Sequence, residues 1–253
     1  EFMFNRLLGS TNVIVFVSAI IIITGASLMP DLDAVQSTSI STLGLAGTLL
    51  SKGMRLFSEI IQNTIKGPYD KSSDPHRGFW HTFLAAGLVG LVIGMITSIN
   101  LEIISISGIS ITVAKASIIF IIYISIQLML ASVFKAFYKR NRQDIKGRFI
   151  LKLGSLLASA GLLYSLPPTL DYSWVGAAIT LGWVIHLLGD MLTVSGVPVL
   201  FPLKFKGKRW WNFRLPLGIK AGGFIEISIL IPIFTIIIII STLNIIPLLG
   251  KGG

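Results

Sequence analysis

The stretch WVIHLLGDMLTVSGVPVLFP, residues 183–202, decides how this chain is read. His186 and Asp190 stand four residues apart in an apolar run, so on a helix both project from one face. An ionisable pair is expensive to keep inside a membrane-type segment, and such a pair marks a candidate functional site. Gly196, Pro198 and Pro202 follow at once and end the helix. The sequence has three histidines, and the other two, His76 and His81, lie together in HRGFWHT (76–82). A second acidic cluster, PDLD (30–33), carries Asp31 and Asp33 at the end of another apolar run. These three stretches are expected to meet in space.

Composition sets the class. The 253 residues are 53% hydrophobic and 13% charged, against about 25% charged in a soluble chain. Mean hydropathy is +0.82, and several runs exceed the roughly 18 apolar residues that mark a membrane span. The expected fold is an all-α, polytopic membrane helix bundle forming a single membrane-embedded domain over residues 1–253. A net charge of +10 would suggest nucleic acid in a soluble chain. Here it bears on topology instead, and no nucleic-acid partner is expected. The absence of cysteine excludes disulfides, thiolate metal sites, S-palmitoylation and a cysteine nucleophile. Glu1-Phe2 ahead of Met3 reads as a cloning remnant. The first apolar run has only Arg6 before it and PDLD where a cleavage site would stand, so it reads as a span and not as a cleaved signal.

Taken in order, the spans are expected at about 13–29, 79–99, 109–134, 149–167, 174–195 and 224–249. Pro30 ends the first, and the Ser/Thr/Gly-rich residues 34–46 read as loop. Within 47–66, Leu50, Met54, Phe57 and Ile61 recur at helical spacing, largely opposite Lys52, Arg55, Glu59, Gln62 and Lys66. That pattern predicts an amphipathic helix at the membrane interface or over the bundle. His81 is expected in the first turn of the second span. His76, five residues earlier, would sit about 140° away on a helix, so convergence requires it on the entering loop. Residues 199–216 alternate apolar and basic around Gly207-Lys208 and suggest a short β-hairpin, with Trp210, Trp211 and Phe213 suited to the interfacial belt.

Charge then orients the bundle. The connections at 31–77, 135–152 and 200–220 hold five, seven and six of the 21 Lys/Arg residues, whereas those near 100–108 and 168–173 hold none. The positive-inside rule places the three basic loops in the cytoplasm and both termini outside. PDLD, HRGFWH and HLLGD then fall on one side.

Carboxylates and neutral imidazoles are the ligand set for zinc, manganese or iron, and carboxylate-rich sites also take magnesium. An Asp-x-Asp on an extended turn offers two oxygens, and a His and an Asp one helical turn apart offer a nitrogen and an oxygen. Asp31, Asp33, His76, His81, His186 and Asp190 are therefore six candidate ligands for one or two ions, zinc favoured over manganese or magnesium. Arg77 has the planar fork suited to a phosphate or carboxylate, and with Asp31 and His76 it makes the candidate catalytic group. Thr193, a turn beyond Asp190, is a candidate supporting residue. The plainer readings are a solvated turn for PDLD, an interfacial cluster for HRGFWH and a buried structural hydrogen bond for His186 and Asp190. No nucleophile elbow, P-loop or dinucleotide fingerprint is present.

SLMPDLD (27–33), HRGFWHT (76–82) and HLLGDMLTVSGVPVLFP (186–202), followed by FRLP (213–216), resemble the YdjM-like family of LexA-regulated inner-membrane metal-dependent hydrolases. The resemblance implies a hydrolase, distantly similar to the zinc phospholipase C and nuclease P1 group, and carries the same six residues over as metal-site candidates. This chain departs from the family pattern at Asn12, where the family has His after Thr, and at Ala34, where His follows Asp-x-Asp. The function expected is hydrolysis of a phosphoester in a membrane lipid or lipid-linked substrate at the cytoplasmic face. A divalent-ion transporter or channel is the first rival, although such sites lie nearer the midplane among repeats, and no repeat is visible here. The second is a non-catalytic membrane scaffold, which the two departures would explain. Sequence does not set the oligomeric state.

Overall fold

The computed structural model describes residues 13–34, 38–67, 70, 77–106, 109–133, 145–165, 171–216 and 218. Its elements run α1 (Val13–Ala26), a 3₁₀ turn (Pro30–Asp33), α2 (Thr38–Thr64), a second 3₁₀ turn (Phe79–His81), α3 (Phe83–Thr97), β1 (Glu102–Ile106), β2 (Ile109–Thr112), α4 (Val113–Val133), α5 (Ile145–Ser165) and α6 (Trp174–Met191). Helices α1, α3, α4 and α6 share one core that includes Ile22, Ala86, Ile118, Ile122, Ile179 and Leu187. Helix α5 flanks α4, where Gln127 Nε2 donates to Ser155 Oγ at 2.9 Å. Helix α2 packs against α4 and both 3₁₀ turns.

Three apolar segments among the described residues are long enough to cross a membrane: Ile14–Asp33, Val113–Leu130 and Trp174–Met191. Phe83–Thr97 and Phe149–Leu162 are apolar but shorter. The sixth expected span, 224–249, lies outside the described residues, as does most of the basic loop after α4.

Lipid tails are as apolar as leucine, so burial from water does not drive these helices together; close backbone packing must. The α3–α6 contact is built for it. A Cβ on Gly176 would run into the Gly90 carbonyl and stand 2.7 Å from Gly94 Cα, and one on Gly90 would stand 2.7 Å from the Gly176 carbonyl. Gly182 lies as tightly against α1, where a Cβ would be 2.8 Å from that of Ala26. At the far end Thr97 Oγ1 donates to the Tyr172 carbonyl at 3.1 Å. Helices α1 and α6 therefore run toward the end that carries PDLD and HLLGD, and α3 runs away from it.

Several expectations are corrected. Residues 34–46 are not all loop, because α2 starts at Thr38 and passes a kink at Gly44, whose φ of 66° suits glycine. The buried face of α2 is Ser51, Met54, Ser58 and Gln62; of the expected stripe Met54 lies on it and Ile61 packs against the cluster of Phe79, Phe201 and Trp210, whereas Leu50 and Phe57 are 48% and 42% exposed. Leu45, Leu49, Leu56 and Ile60 are 76%, 62%, 58% and 53% exposed. On the inward face Ser58 Oγ accepts from Phe79 N at 3.0 Å, a partner that the bundle supplies. His81 precedes α3 on a 3₁₀ turn, because Thr82 is the N-cap and accepts from Ala85 N at 3.0 Å. The third span starts at Val113, since Glu102–Ile106 pairs antiparallel with Ile109–Thr112, which the apolar run concealed. The 199–216 hairpin is reduced to two isolated bridges, Val197 with Phe213 and Phe205 with Lys208. Trp210 is buried and stacks on Phe201 at 4.1 Å.

The glycine seam predicts opposite signs for one substitution at two places. Gly176→Ala should lower stability by about 1–3 kcal/mol through overpacking. Gly87→Ala, where nothing lies within 4 Å, should gain up to about 1 kcal/mol of helix propensity. Thermal unfolding of the two variants in detergent checks both.

Candidate metal centre

The site is assembled from three ends of secondary structure. Proline at the start of the first 3₁₀ turn stops α1 and turns the chain so that Asp33 is fully buried while the Asp31 side chain is 46% exposed. The second 3₁₀ turn is clamped between two helices. The Trp80 indole donates to the Met54 carbonyl of α2 at 2.7 Å, and the Trp183 indole of α6 donates to the Trp80 carbonyl at 2.7 Å. His81, next in the chain, is thereby held at 0% exposure. His186 and Asp190 come from the last two turns of α6, as their spacing requires.

The polar atoms then converge. His81 Nε2 lies 3.6 Å from Asp31 Oδ1 and 3.6 Å from Asp190 Oδ2. His186 Nε2 lies 3.7 Å from Asp31 Oδ1 and 3.4 Å from Asp190 Oδ2. The two imidazole rings are 5.3 Å apart, centroid to centroid. One ligand atom each from Asp31, His81 and His186 fall within 4.8 Å of one another, and Asp190 adds a fourth through its contacts to both rings. These separations exceed the roughly 2.7–3.2 Å of a good N–H···O hydrogen bond. They match something else: two donors about 2.1 Å from one ion and a tetrahedral angle apart are separated by about 3.4 Å. Two imidazoles and two carboxylates so spaced fit a divalent cation such as zinc, or manganese with added oxygen ligands.

Asp33 takes a different place from Asp31. Its Oδ2 faces the other ring nitrogen of His81, Nδ1, at 4.0 Å. An extended Asp-x-Asp would point both carboxylates one way, whereas a 3₁₀ turn advances about 120° per residue and sends residues i and i+2 apart. Asp33 thus backs the ring that Asp31 faces, in the manner of a carboxylate behind a ligating histidine. The Ser27 backbone carbonyl does the same for His186.

Arg77 sits in the adjoining loop layer. Its Nη1 donates to Thr193 Oγ1 at 3.3 Å, to Ser195 Oγ and to the Gly196 carbonyl at 3.1 Å. Thr193 Oγ1 in turn donates to the Asp190 carbonyl at 2.7 Å, so Thr193 supports the end of α6. Arg77 lies close enough for its charge to act on the Asp190 carboxylate. His76 lies outside the described residues. The structure therefore brings together Asp31, His81, His186 and Asp190, with Asp33 behind His81 and Arg77 beside them. Sequence reasoning missed Ser195 and Gly196 as partners of Arg77, and Trp80 and Trp183 as the clamp on His81. The only available signal was their position within or next to the quoted blocks.

Comparison with known proteins agrees in kind. The family described as YdjM inner membrane protein matches residues 4–248. The Inner membrane protein YdjM of Escherichia coli (strain K12) is 36% identical over 74 residues, which are 27% of this chain and 35% of that protein. The protein of the same name from Shigella flexneri gives the same figures. The aligned part thus spans about a third of the length of these curated relatives. No solved structure matches. With its family match running over nearly the whole chain, and with spans of apolar helix to place it in a membrane, this protein belongs to the YdjM inner membrane protein family.

Proposed function

We propose that this protein is a metal-dependent hydrolase of a phosphoester carried by a membrane lipid or lipid-linked substrate. The observation that supports it is the meeting of two imidazoles and two carboxylates, 3.4–3.7 Å apart, at one end of an apolar helix bundle. Asp31, His81, His186 and Asp190 would hold a divalent ion, zinc first, with manganese or magnesium as alternatives. Bound there, such an ion supplies Lewis acidity toward a phosphoryl oxygen and acidifies a water.

The chain's own residues do the rest. The Asp33 carboxylate behind His81 and the Ser27 carbonyl behind His186 would orient the two rings toward a bound ion. Arg77, tied down by the 193–196 loop, holds a fixed positive charge where a substrate phosphate needs one. The half-exposed Asp31 marks the side on which substrate enters. A lipid is favoured because the outward leucines of α2 lie next to this end of the bundle. Six membrane passes, counting 224–249, would put the three basic loops and the site in the cytoplasm and both termini outside.

Elemental analysis of detergent-purified protein should find about one equivalent of zinc or manganese per chain, absent from His186→Ala. Asp33→Asn should keep the ion with affinity lowered about 10–100-fold, whereas Asp31→Ala should lose it. The reverse order would exchange the two roles. Chelation should abolish turnover of a phospholipid or phosphomonoester, and so should Asp190→Ala. Full turnover by that variant would overturn the mechanism, and metal-driven uptake into proteoliposomes without hydrolysis would assign the same residues to transport.

A further inference from the structure

Beyond the metal centre, one surface is built in two halves that do not suit water together. The chain folds back after Pro202 into a tight turn, with Phe205 N donating to the Lys208 carbonyl at 2.8 Å and Lys208 N to the Phe205 carbonyl at 3.0 Å. Lys206 and Gly207 between them both take positive φ, 49° and 77°, the geometry of a two-residue hairpin turn. The base of this finger is fixed. The Asp70 carboxylate accepts from Arg209 N and Trp210 N, each at 3.2 Å, and the Trp210 indole donates to the Ile65 carbonyl at 2.7 Å.

The tip, in contrast, is exposed and of mixed character. Leu203 is 67% and Phe205 42% exposed, and both alternate with Lys204, Lys206 and Lys208. No acidic residue occurs between Asp190 and Glu226, and among the described residues none of these lysines makes an ion pair. Leu215 N donates to the Met191 carbonyl at 2.7 Å, which roots the segment at the end of α6 and places the finger just past the apolar span. With α6 crossing the membrane, the finger would stand at headgroup depth, next to the C-terminal end of α2.

We propose that Leu203–Lys208 is a finger that binds anionic lipid: Leu203 and Phe205 enter the acyl boundary while the three lysines meet anionic headgroups. Apolar side chains interleaved with lysine suit the interface of an anionic leaflet, and a soluble polyanion would leave the exposed surfaces of Leu203 and Phe205 in water. The proposal rests on the membrane placement and is independent of the catalytic reading.

Trp211 stacks on Phe205 at 4.3 Å and reports the finger's surroundings. The full chain would be reconstituted in phosphatidylcholine vesicles with about a third phosphatidylglycerol, with brominated acyl chains on one lipid or the other. The Trp211 signal is the difference from Trp211→Phe. Quenching by brominated phosphatidylglycerol should exceed its mole share, and the preference should fall roughly fivefold for each lysine changed to glutamine. The triple variant K204R/K206R/K208R should keep it, which separates charge from misfolding. Quenching in simple proportion to mole fraction in the unaltered protein, or an undiminished preference in K204Q/K206Q/K208Q, would overturn the proposal.

Discussion

Everything at the candidate centre depends on how closely α3 and α6 approach. His81 is carried just ahead of α3 and His186 on α6, and the distance between those helices is set by glycine on both sides, with Gly90 and Gly94 meeting Gly176. A methyl group at the seam would part the backbones, and the loss would be felt several turns away, where two imidazoles share the same carboxylate neighbours. In lipid, where apolar burial gives helices no preference for each other over the tails, such packing is the means by which a bundle acquires a defined interior. The Trp183–Trp80 hydrogen bond then fixes the register at the site end of the same pair.

Helix α2 turns polar side chains as well as Met54 toward the bundle. Here Ser51, Ser58 and Gln62 turn inward beside Met54 and leucines turn outward, and Ser58 finds a partner within the bundle at Phe79 N. The helix holds Phe79 through Ser58 and Trp80 through the Met54 carbonyl, so its inward face positions His81. The finger that follows α6 is tied to the end of the same helix through Ile65 and Asp70.

Around the centre the supporting groups form a layer of their own. Asp33 backs His81, the Ser27 carbonyl backs His186, and Arg77 pins the loop whose Thr193 caps the end of α6. The chain departs from the family pattern at Asn12 and Ala34, yet two imidazoles and two carboxylates still face one another.

How much of this could be read from the sequence depends on the range of the physics involved. The membrane class followed from composition and run length, and the pairing of His186 with Asp190 followed from a helical period that needs no partner. Glycines within apolar runs hinted at close packing without naming the facing helix. The pairing of Glu102–Ile106 with Ile109–Thr112 was hidden because an apolar run satisfies strand and helix alike. The pattern of α2 picked out Met54, which is buried, but not Ser51, Ser58 and Gln62 beside it, whose burial rests on contacts with other elements. Whether Asp31 or Asp33 joins the histidines was decided by a 3₁₀ turn instead of an extended one, a local difference of backbone angle that only packing against α2 and the second turn selects. The sequence by itself determined which groups are too polar to lie idle in a membrane; the tertiary structure decided which of them face each other, because that rests on contacts between helices distant in the chain.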